Sequence, residues 1–557
     1  MKVYIKNIDS YIPFSGGESL LELAARLDPP LGFEPICARV NNKTESLSFP
    51  LFSPKQVEFV GIEAPDGYRT YIRSLCMMLF KAVTVEAPGL SLRIEHSVSR
   101  GYFCRLFDQT TGRPADCPDE LIARLEKHIR GLVAEDLPFV RKERLTEDAL
   151  KIFREERLDD KVLLLETTGS LYTTFYRLGD LTDSYYGPLA PSTGCCPTLS
   201  LVPTHGGFLL MGPDQNDPSR PRLPEPQEKM FRAFTDYQEF NRVVQVSTVG
   251  QLNRAVQERR TAELINVAEA MHNKYLGRIA DAISRRHDEG GARVVLLAGP
   301  SSSGKTTTTK RLAIQLMTNL KVPKMISLDD YFVDRHLTPR DESGDYDYES
   351  LYALDLERFN SDLSRLLDGE TINLPTYSFE TGSRIEKERP LSLGKDDILL
   401  IEGIHGLNPE LTRSIPDSQI YKIYVSALTT LGIDEHNWIS PNDNRLLRRI
   451  VRDYRYRHTS ALDTIRRWPS VRRGEEKWIF PYQENADATF NSSLLFELGV
   501  MKSFAEPLLQ EVPHNVPEYR EANRLLRFLS YFSAIPTDQI PSTSLLREFL
   551  GGSSFHY

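Results

Sequence analysis

Arg293-Val294-Val295-Leu296-Leu297-Ala298-Gly299-Pro300-Ser301-Ser302-Ser303-Gly304-Lys305-Thr306-Thr307 is the stretch on which the reading of this chain turns. An apolar run short enough to be a buried strand breaks at Gly299, and Gly299, Gly304, Lys305 and Thr306 then fit the phosphate-loop pattern G-x-x-x-x-G-K-[ST]. Glycines and small serines let successive backbone N–H groups turn toward one anion. A helix starting near Lys305 adds the positive end of its dipole. In this pattern Ser301, Ser302, Ser303 and Thr307 complete the cradle, Lys305 reaches the terminal phosphates and the Thr306 hydroxyl ligates Mg²⁺.

Downstream, the pattern predicts a helix over Thr306–Leu320 and a strand Lys324–Leu328 that ends in Asp329-Asp330-Tyr331-Phe332. A second apolar strand, Asp397–Ile401, ends in Glu402-Gly403-Ile404-His405-Gly406, and Tyr421–Ser426 is a third. Carboxylates just past the carboxyl ends of strands are where a parallel α/β sheet places its chemistry, so a doubly wound sheet with helices on both faces is predicted. The most basic segment, Arg445–Arg473, reads either as a nucleic-acid face or as an arginine lid over a triphosphate. Arg445, Arg448, Arg449, Arg452 and Arg455 recur at helical spacing, so at most two or three can face one ligand; the others are expected on a solvated or interdomain face.

A chain of 557 residues with 40% hydrophobic and 26% charged residues has material for three or more globular units, and a net charge of −9 argues against a general nucleic-acid coat. No segment has the apolar length of a membrane span. The opening Met1-Lys2-Val3-Tyr4-Ile5-Lys6 alternates like a strand and lacks the core of a signal peptide, which points to the cytoplasm. Six cysteines without a C-x-x-C pair read as reduced thiols. Residues 1–62 read as a small α+β module with strands Val3–Ile8, Ile36–Val40 and Leu47–Phe52 and a helix near Ser19–Leu27. Residues 63–223 continue as α+β, with a buried helix Tyr68–Val83, a helix Asp119–Val133 and a strand Lys161–Thr167. Five prolines between Pro213 and Pro226 mark a linker, and helices Leu252–Arg260 and Ala262–His287 fill out a segment 224–290 in which His272 reads as structural. The sheet domain is placed at 291–497. A helical extension, 498–557, carries Glu518–Phe532 and a last turn near Ser544–Leu550, and its tail Gly551-Gly552-Ser553-Ser554 reads as frayed.

The two N-terminal parts resemble the N-terminal region of threonyl-tRNA synthetases, a ubiquitin-like module followed by an editing-type domain. The resemblance rests on Arg73-Ser74 with Met77, Leu79 and Ala82, on Ile94-Glu95 leading to Gly101-Tyr102-Phe103, and on Asp183-Ser184-Tyr185-Tyr186-Gly187-Pro188-Leu189-Ala190-Pro191-Ser192-Thr193-Gly194. That family carries two histidines in the first motif and a cysteine and a histidine in the last. Here Arg73, Met77, Tyr185 and Leu189 stand in those places, so the resemblance implies the fold without the metal-type cluster or its editing chemistry.

Residues 291–497 resemble the uridine/cytidine kinase and phosphoribulokinase family of P-loop kinases. The matching pieces are Gly299–Thr307, Ile326-Ser327-Leu328-Asp329-Asp330-Tyr331-Phe332, Asp345-Tyr346-Asp347, Pro375-Thr376-Tyr377-Ser378-Phe379, Ile401-Glu402-Gly403-Ile404-His405, and Arg449-Ile450-Val451-Arg452-Asp453 with Arg457. The resemblance implies ATP and Mg²⁺ as cofactors, with Asp329 as the base toward a small hydroxylated acceptor. It also implies Thr306 and Glu402 around the metal with Asp329 close by, Arg452 and Arg457 as the lid beside Lys305, and Asp347 and Tyr377 on the acceptor; with Arg384 and Arg449 these are expected to hold a polar hydroxylated ligand. The nucleoside kinases carry a base-contacting histidine where Gly382 stands here, and their Arg-Gly-Arg lid element becomes Arg457-His458-Thr459. A kinase acting on a nucleoside, uridine first, is therefore the leading expectation, with a non-nucleoside polyol as the other acceptor class. An RNA- or ribosome-associated ATPase whose N-terminal half contacts RNA is the alternative from another class, and amino-acid sensing by that half is a third.

Overall fold

The computed structural model describes residues 1–556 apart from Ser343, Phe379 and Glu386, so the Phe379 of the Pro-x-Tyr-x-Phe motif lies outside the described residues. At its centre Val294–Ala298 is buried over its whole length. It pairs in parallel with Asp397–Glu402 on one side and Ile420–Ser426 on the other; Val322–Ser327 and Ala488–Asn491 complete a five-stranded parallel sheet. Alternation along the strands sends side chains to two cores. Val295, Leu297, Ile398 and Leu400 pack with Leu276, Ile283, Leu312 and Leu316 of the helices Thr261–Asp288 and Lys305–Thr318. Val294, Leu296, Leu399 and Ile401 pack with Phe359, Leu363 and Leu366 of the helix Leu356–Leu367. Burial on both faces is why these strands read as continuous apolar runs. The sheet order carries the chain from Val294–Ala298 over Asp397–Glu402 to Val322–Ser327, so the phosphate loop, the Asp329 turn and Glu402 emerge at one edge.

Upstream, Lys2–Ile5, Ser10–Pro13, Cys37–Val40, Lys43–Glu45 and Gln56–Val60 form a five-stranded mixed sheet. The helix Leu20–Ala25 lies on it, opened by a capping box of Ser19 and Glu22. The following helix, Pro65–Glu86, and Asp119–Glu135 share a core with the antiparallel sheet of Leu90–Val98, Gly101–Asp108, Ser200–Thr204 and Gly207–Met211. Arg73 is buried on the first of these helices, and its Nη1 donates to Pro188 O at 3.0 Å. Its guanidinium comes within 2.5 Å of where a Cβ on Gly187 would stand, so a side chain there would have to push the guanidinium aside. Met77, Tyr185 and Leu189 are buried in the same core.

Several sequence-based expectations are corrected. Lys161–Thr167 is not a strand but part of the helix Asp159–Thr168, with Asp159 and Asp160 in the first turn and Gly169 in the left-handed conformation after the last. The strand Val3–Ile8 shortens to Lys2–Ile5 followed by a 3₁₀ turn, and of Leu47–Phe52 only Pro50–Leu51 pairs. Directly after the proline-rich linker stands a helix, Glu228–Val243, ahead of the helices expected in the segment 224–290. The tail is ordered: Gly551 N–H bonds Arg547 O and Ser554 N–H bonds Ser542 O.

Between the synthetase-like domain and the sheet domain lies a buried charge cluster. Lys161 Nζ stands 2.9 Å from Asp183 and 3.0 Å from Asp434, while His436 Nδ1 is 2.8 Å from the other Asp183 oxygen. All four groups are buried. Burial would raise Asp183, but Lys161 and His436 outweigh it and hold the carboxyl well below its usual range. For His436 burial opposes the charge and Asp183 overrides it, leaving the imidazole above its ordinary value. The stabilisation from this charge is therefore complete below about pH 6.5 and fades as pH rises through the folded value. His436→Gln should lower the melting temperature at pH 6, at a cost of about 3 kcal/mol, and lower it much less at pH 9. Calorimetry at the two pH values checks this, and equal losses would mean that the imidazole is held neutral.

Candidate active site

The phosphate loop turns where the sequence pattern places it. Gly304 has φ +82° and Ser302 φ +59°, left-handed values that bend the chain between strand and helix. A Cβ on Gly299 would collide with the carbonyl of Val425 on the neighbouring strand. Lys305, at the first position of its helix, folds its Nζ back onto Pro300 O at 3.1 Å. Next to it Thr306 Oγ1 donates to Glu402 Oε1 at 3.3 Å, and Ser327 Oγ donates to the same oxygen at 3.1 Å.

Asp329 and Glu402 face this corner from two strand ends. Burial, then the proximity of Asp329, pushes Glu402 up to about 7 against the pull of Lys305. Asp329 is open to solvent at the cleft floor, yet the protein around it desolvates the carboxyl enough to raise it despite Lys305 and Arg457. Its neighbour Asp330 turns away into an ion pair with Arg389 at 2.9 Å, so only one of the two aspartates serves the cleft. Two carboxyls and a hydroxyl, hard oxygen donors with more negative charge than Lys305 alone relieves, are a donor set that suits Mg²⁺. Thr306, Glu402 and Asp329 are the residues that would hold it.

The helix Pro441–Arg457 brings the arginines in from the other side. Asp453 gathers three of them: Arg452 at 2.7 Å, Arg449 at 3.2 Å and Arg457 at 3.6 Å. Crowding by Arg452, then desolvation, lowers Arg457 to about 10. Arg449, expected to meet the acceptor, also donates to Ser301 Oγ of the phosphate loop at 2.8 Å and acts on Glu349. Arg445 and Arg448, expected on a solvated or interdomain face, are instead among the most deeply buried side chains of the protein. Arg445 pairs through both nitrogens with Glu475 and donates to Ser301 O; Arg448 pairs with Glu497 and donates to Ser302 O. Burial would raise Glu475, but Arg445 and Arg472 hold it below the ordinary carboxylate range, and it accepts the Ser301 N–H at 3.0 Å.

Residues 294–494 match the Phosphoribulokinase / Uridine kinase family. In this region the other acceptor candidates sit on elements other than the phosphate loop. Tyr377 is buried on the strand Thr376–Ser378 with its ring 5.6 Å from Phe332. Arg384 is committed to Asp355 at 2.7 Å, and Asp347 Oδ1 accepts the Glu349 N–H at 3.1 Å. Glu349, unremarked in the sequence, belongs with this group: burial, then the anion of Glu475, pushes it up to about 7 although Arg449 and Lys305 pull the other way. Glu475, on the helix Ala461–Trp478, is equally silent. A carboxylate on a basic amphipathic helix looks like any solvated partner until the tertiary fold shows what it meets.

The N-terminal region is similar to threonine–tRNA ligases. That of Rubrobacter xylanophilus is 28% identical over 221 residues, 39% of this chain and 33% of the ligase, and that of Desulforamulus reducens 27% identical over 209 residues, 37% and 32%. The chain thus spans about a third of the length of these curated relatives. Among solved structures, one described as a possible uridine kinase from Bacillus stearothermophilus aligns at 22% identity over 36% of this chain and 89% of its own, TM-score 0.24. D-glycerate 3-kinase from Cryptococcus neoformans aligns at 14% identity over 48% and 89%, TM-score 0.22. Among the described residues no helix is long and apolar enough to cross a membrane.

The like-charge crowding at the cleft floor gives a prediction. Glu402 titrates higher folded than unfolded, so its ionisation costs stability above about pH 4.5 and the full cost is reached above its folded value. Glu402→Gln should therefore stabilise the metal-free protein at pH 8 by about 1–3 kcal/mol. Urea denaturation in EDTA measures this; a loss of stability would mean that the bonds from Thr306 and Ser327 outweigh the repulsion.

Proposed function

We propose that the protein is an ATP-dependent kinase that phosphorylates a hydroxyl of a small molecule. One observation carries this reading: Lys305 and Thr306 of the phosphate loop, the carboxyls of Asp329 and Glu402, and the arginines gathered on Asp453 converge on one edge of the sheet. Phosphoryl transfer asks a protein mainly for position and for charge opposite the transferring group. The phosphate-loop N–H groups and Lys305 hold the donor, and Arg449, Arg452 and Arg457 face it from the neighbouring helix. Mg²⁺, when bound, offsets charge on the phosphate oxygens. Asp329 accepts the proton of the acceptor hydroxyl, and the raised affinity of its carboxyl for a proton suits that role.

Nucleosides, uridine first, are the leading acceptors. A second reading, a non-nucleoside polyol, is favoured by Gly382. At φ +71° it presents no side chain, and the guanidinium of Arg335 comes within 2.5 Å of where its Cβ would be. A cation there, and no base-reading group from position 382, suits a polar hydroxylated ligand without a heterocycle. The N-terminal half, by its likeness to threonine–tRNA ligases, makes RNA a partner to be tested in a binding assay, without the editing reaction.

ATP consumption should depend on an added acceptor, and kcat/KM across uridine, cytidine, purine nucleosides and sugar alcohols identifies its class. Lys305→Ala should lower turnover by several orders of magnitude, and Asp329→Asn should abolish transfer to every acceptor. ATP hydrolysis that ignores all acceptors, or survives in Asp329→Asn, would favour the ATPase instead.

A further inference from the structure

The C-terminal extension returns to the phosphate loop. Leu545 and Phe549 are buried in the same core as Val295, Leu297, Leu312 and Leu316. Leu545 lies over the loop, its Cδ2 2.8 Å from where a Cβ on Gly304 would stand. Phe549 sits under the guanidinium of Arg448 at 5.0 Å, and Arg547 Nη2 donates to Thr537 O at 2.9 Å and Ile540 O at 2.7 Å. These contacts fix the short helix Arg547–Leu550 so that Glu548 Oε2 accepts both the Thr307 N–H, at 3.2 Å, and the Thr307 hydroxyl, at 2.6 Å.

Thr307 N–H is one of the first-turn donors of the helix Lys305–Thr318 that are bonded from outside the helix, at the positive end of its dipole. A helix cap ordinarily comes from the residue just before the helix; that residue is Gly304, which has no side chain to offer. The cap comes instead from a carboxylate 241 positions along the chain. In the phosphate-loop pattern these N–H groups are the ones that cradle the α- and β-phosphates. A carboxylate and a phosphate cannot both take this donor, and like charges at that distance repel.

We propose that Glu548 is an intramolecular competitor of the nucleotide: its carboxylate occupies a phosphate position at Thr307 and must leave before a triphosphate can bind there. The proposal rests on the reading that a nucleoside triphosphate occupies the phosphate loop. Displacing a charged hydrogen bond and its repulsion corresponds to about tenfold or more in affinity. The test is the Kd for Mg²⁺-ATP, by calorimetry on the full chain, in the wild type, Glu548→Gln, Glu548→Lys and Lys305→Ala, with Glu511→Gln as a control for net charge. Glu548→Gln should bind about tenfold tighter and Glu548→Lys tighter still, while Glu511→Gln matches the wild type. A merely structural cap predicts the opposite, a lower melting temperature and weaker binding in both Glu548 variants, and Glu548→Ala repeats the test should either fail to fold. Unchanged or weaker binding in the Glu548 variants, with binding still lost in Lys305→Ala, would overturn the competition and leave the phosphate-loop reading standing. No binding in any variant would overturn that reading and the competition with it.

Discussion

A guanidinium taken out of water has to be met by a carboxylate and by every acceptor its planar fork can reach, and the phosphate loop is built on two such groups. Arg445 and Arg448 stand one helical turn apart on Pro441–Arg457. Each is met by a glutamate, Glu475 or Glu497, and each also donates through Nη1 to a carbonyl of the phosphate loop, Ser301 or Ser302. The loop that must stay open toward a ligand is thus gripped from behind. Removing one partner would strand a charge in the interior, which is far costlier than losing a surface pair. Of the other arginines on this helix, Arg449, Arg452 and Arg457 gather on Asp453.

That division of labour was only half legible in the sequence. The phosphate loop, Asp329 and Glu402 could be read because their chemistry is local: a glycine pattern, or an acid directly after an apolar strand. The parallel sheet followed from the same runs. The arginine helix could be recognised by its spacing but not sorted, since spacing says which residues share a face and not which face is inside. Arg449, for instance, touches the phosphate loop through Ser301, a contact that spacing does not reveal. Lys161–Thr167 failed for a related reason: Val162-Leu163-Leu164-Leu165 is as apolar as a strand, and the signals that make it a helix, Asp159-Asp160 before it and Gly169 after it, lie outside the run. The helix Glu228–Val243 follows a proline-rich stretch and is polar over much of its surface, so nothing in its composition announced it.

The N-terminal half is joined to the sheet domain by chemistry as well as by chain. Besides the cluster at Lys161, Arg93 pairs with Glu435 at 2.9 Å, Glu435 N–H donates to Asp160, and the Trp438 ring packs on Tyr102. On the far side Asn42 of the first module donates to His514 O in the C-terminal extension. Between these joints Arg141, Tyr176, Tyr185, Asp434 and Arg527 line a polar cavity of about 290 Å³. The synthetase-like region is therefore packed against the domain of the phosphate loop by ion pairs, hydrogen bonds and ring contacts.

The same cluster sets a condition on how the protein is made. Lys161 and Asp183 belong to the half that leaves the ribosome first, whereas Asp434 and His436 belong to a loop synthesised roughly ten to fifty seconds later at ordinary elongation rates. Until that loop arrives, the nascent N-terminal half carries a cleft whose charges are only partly matched and whose apolar rim has no cover. Its folding is then finished by a later part of the same chain, and a ribosome stalled between the two halves would present a sticky intermediate to chaperones or to its neighbours on the polysome.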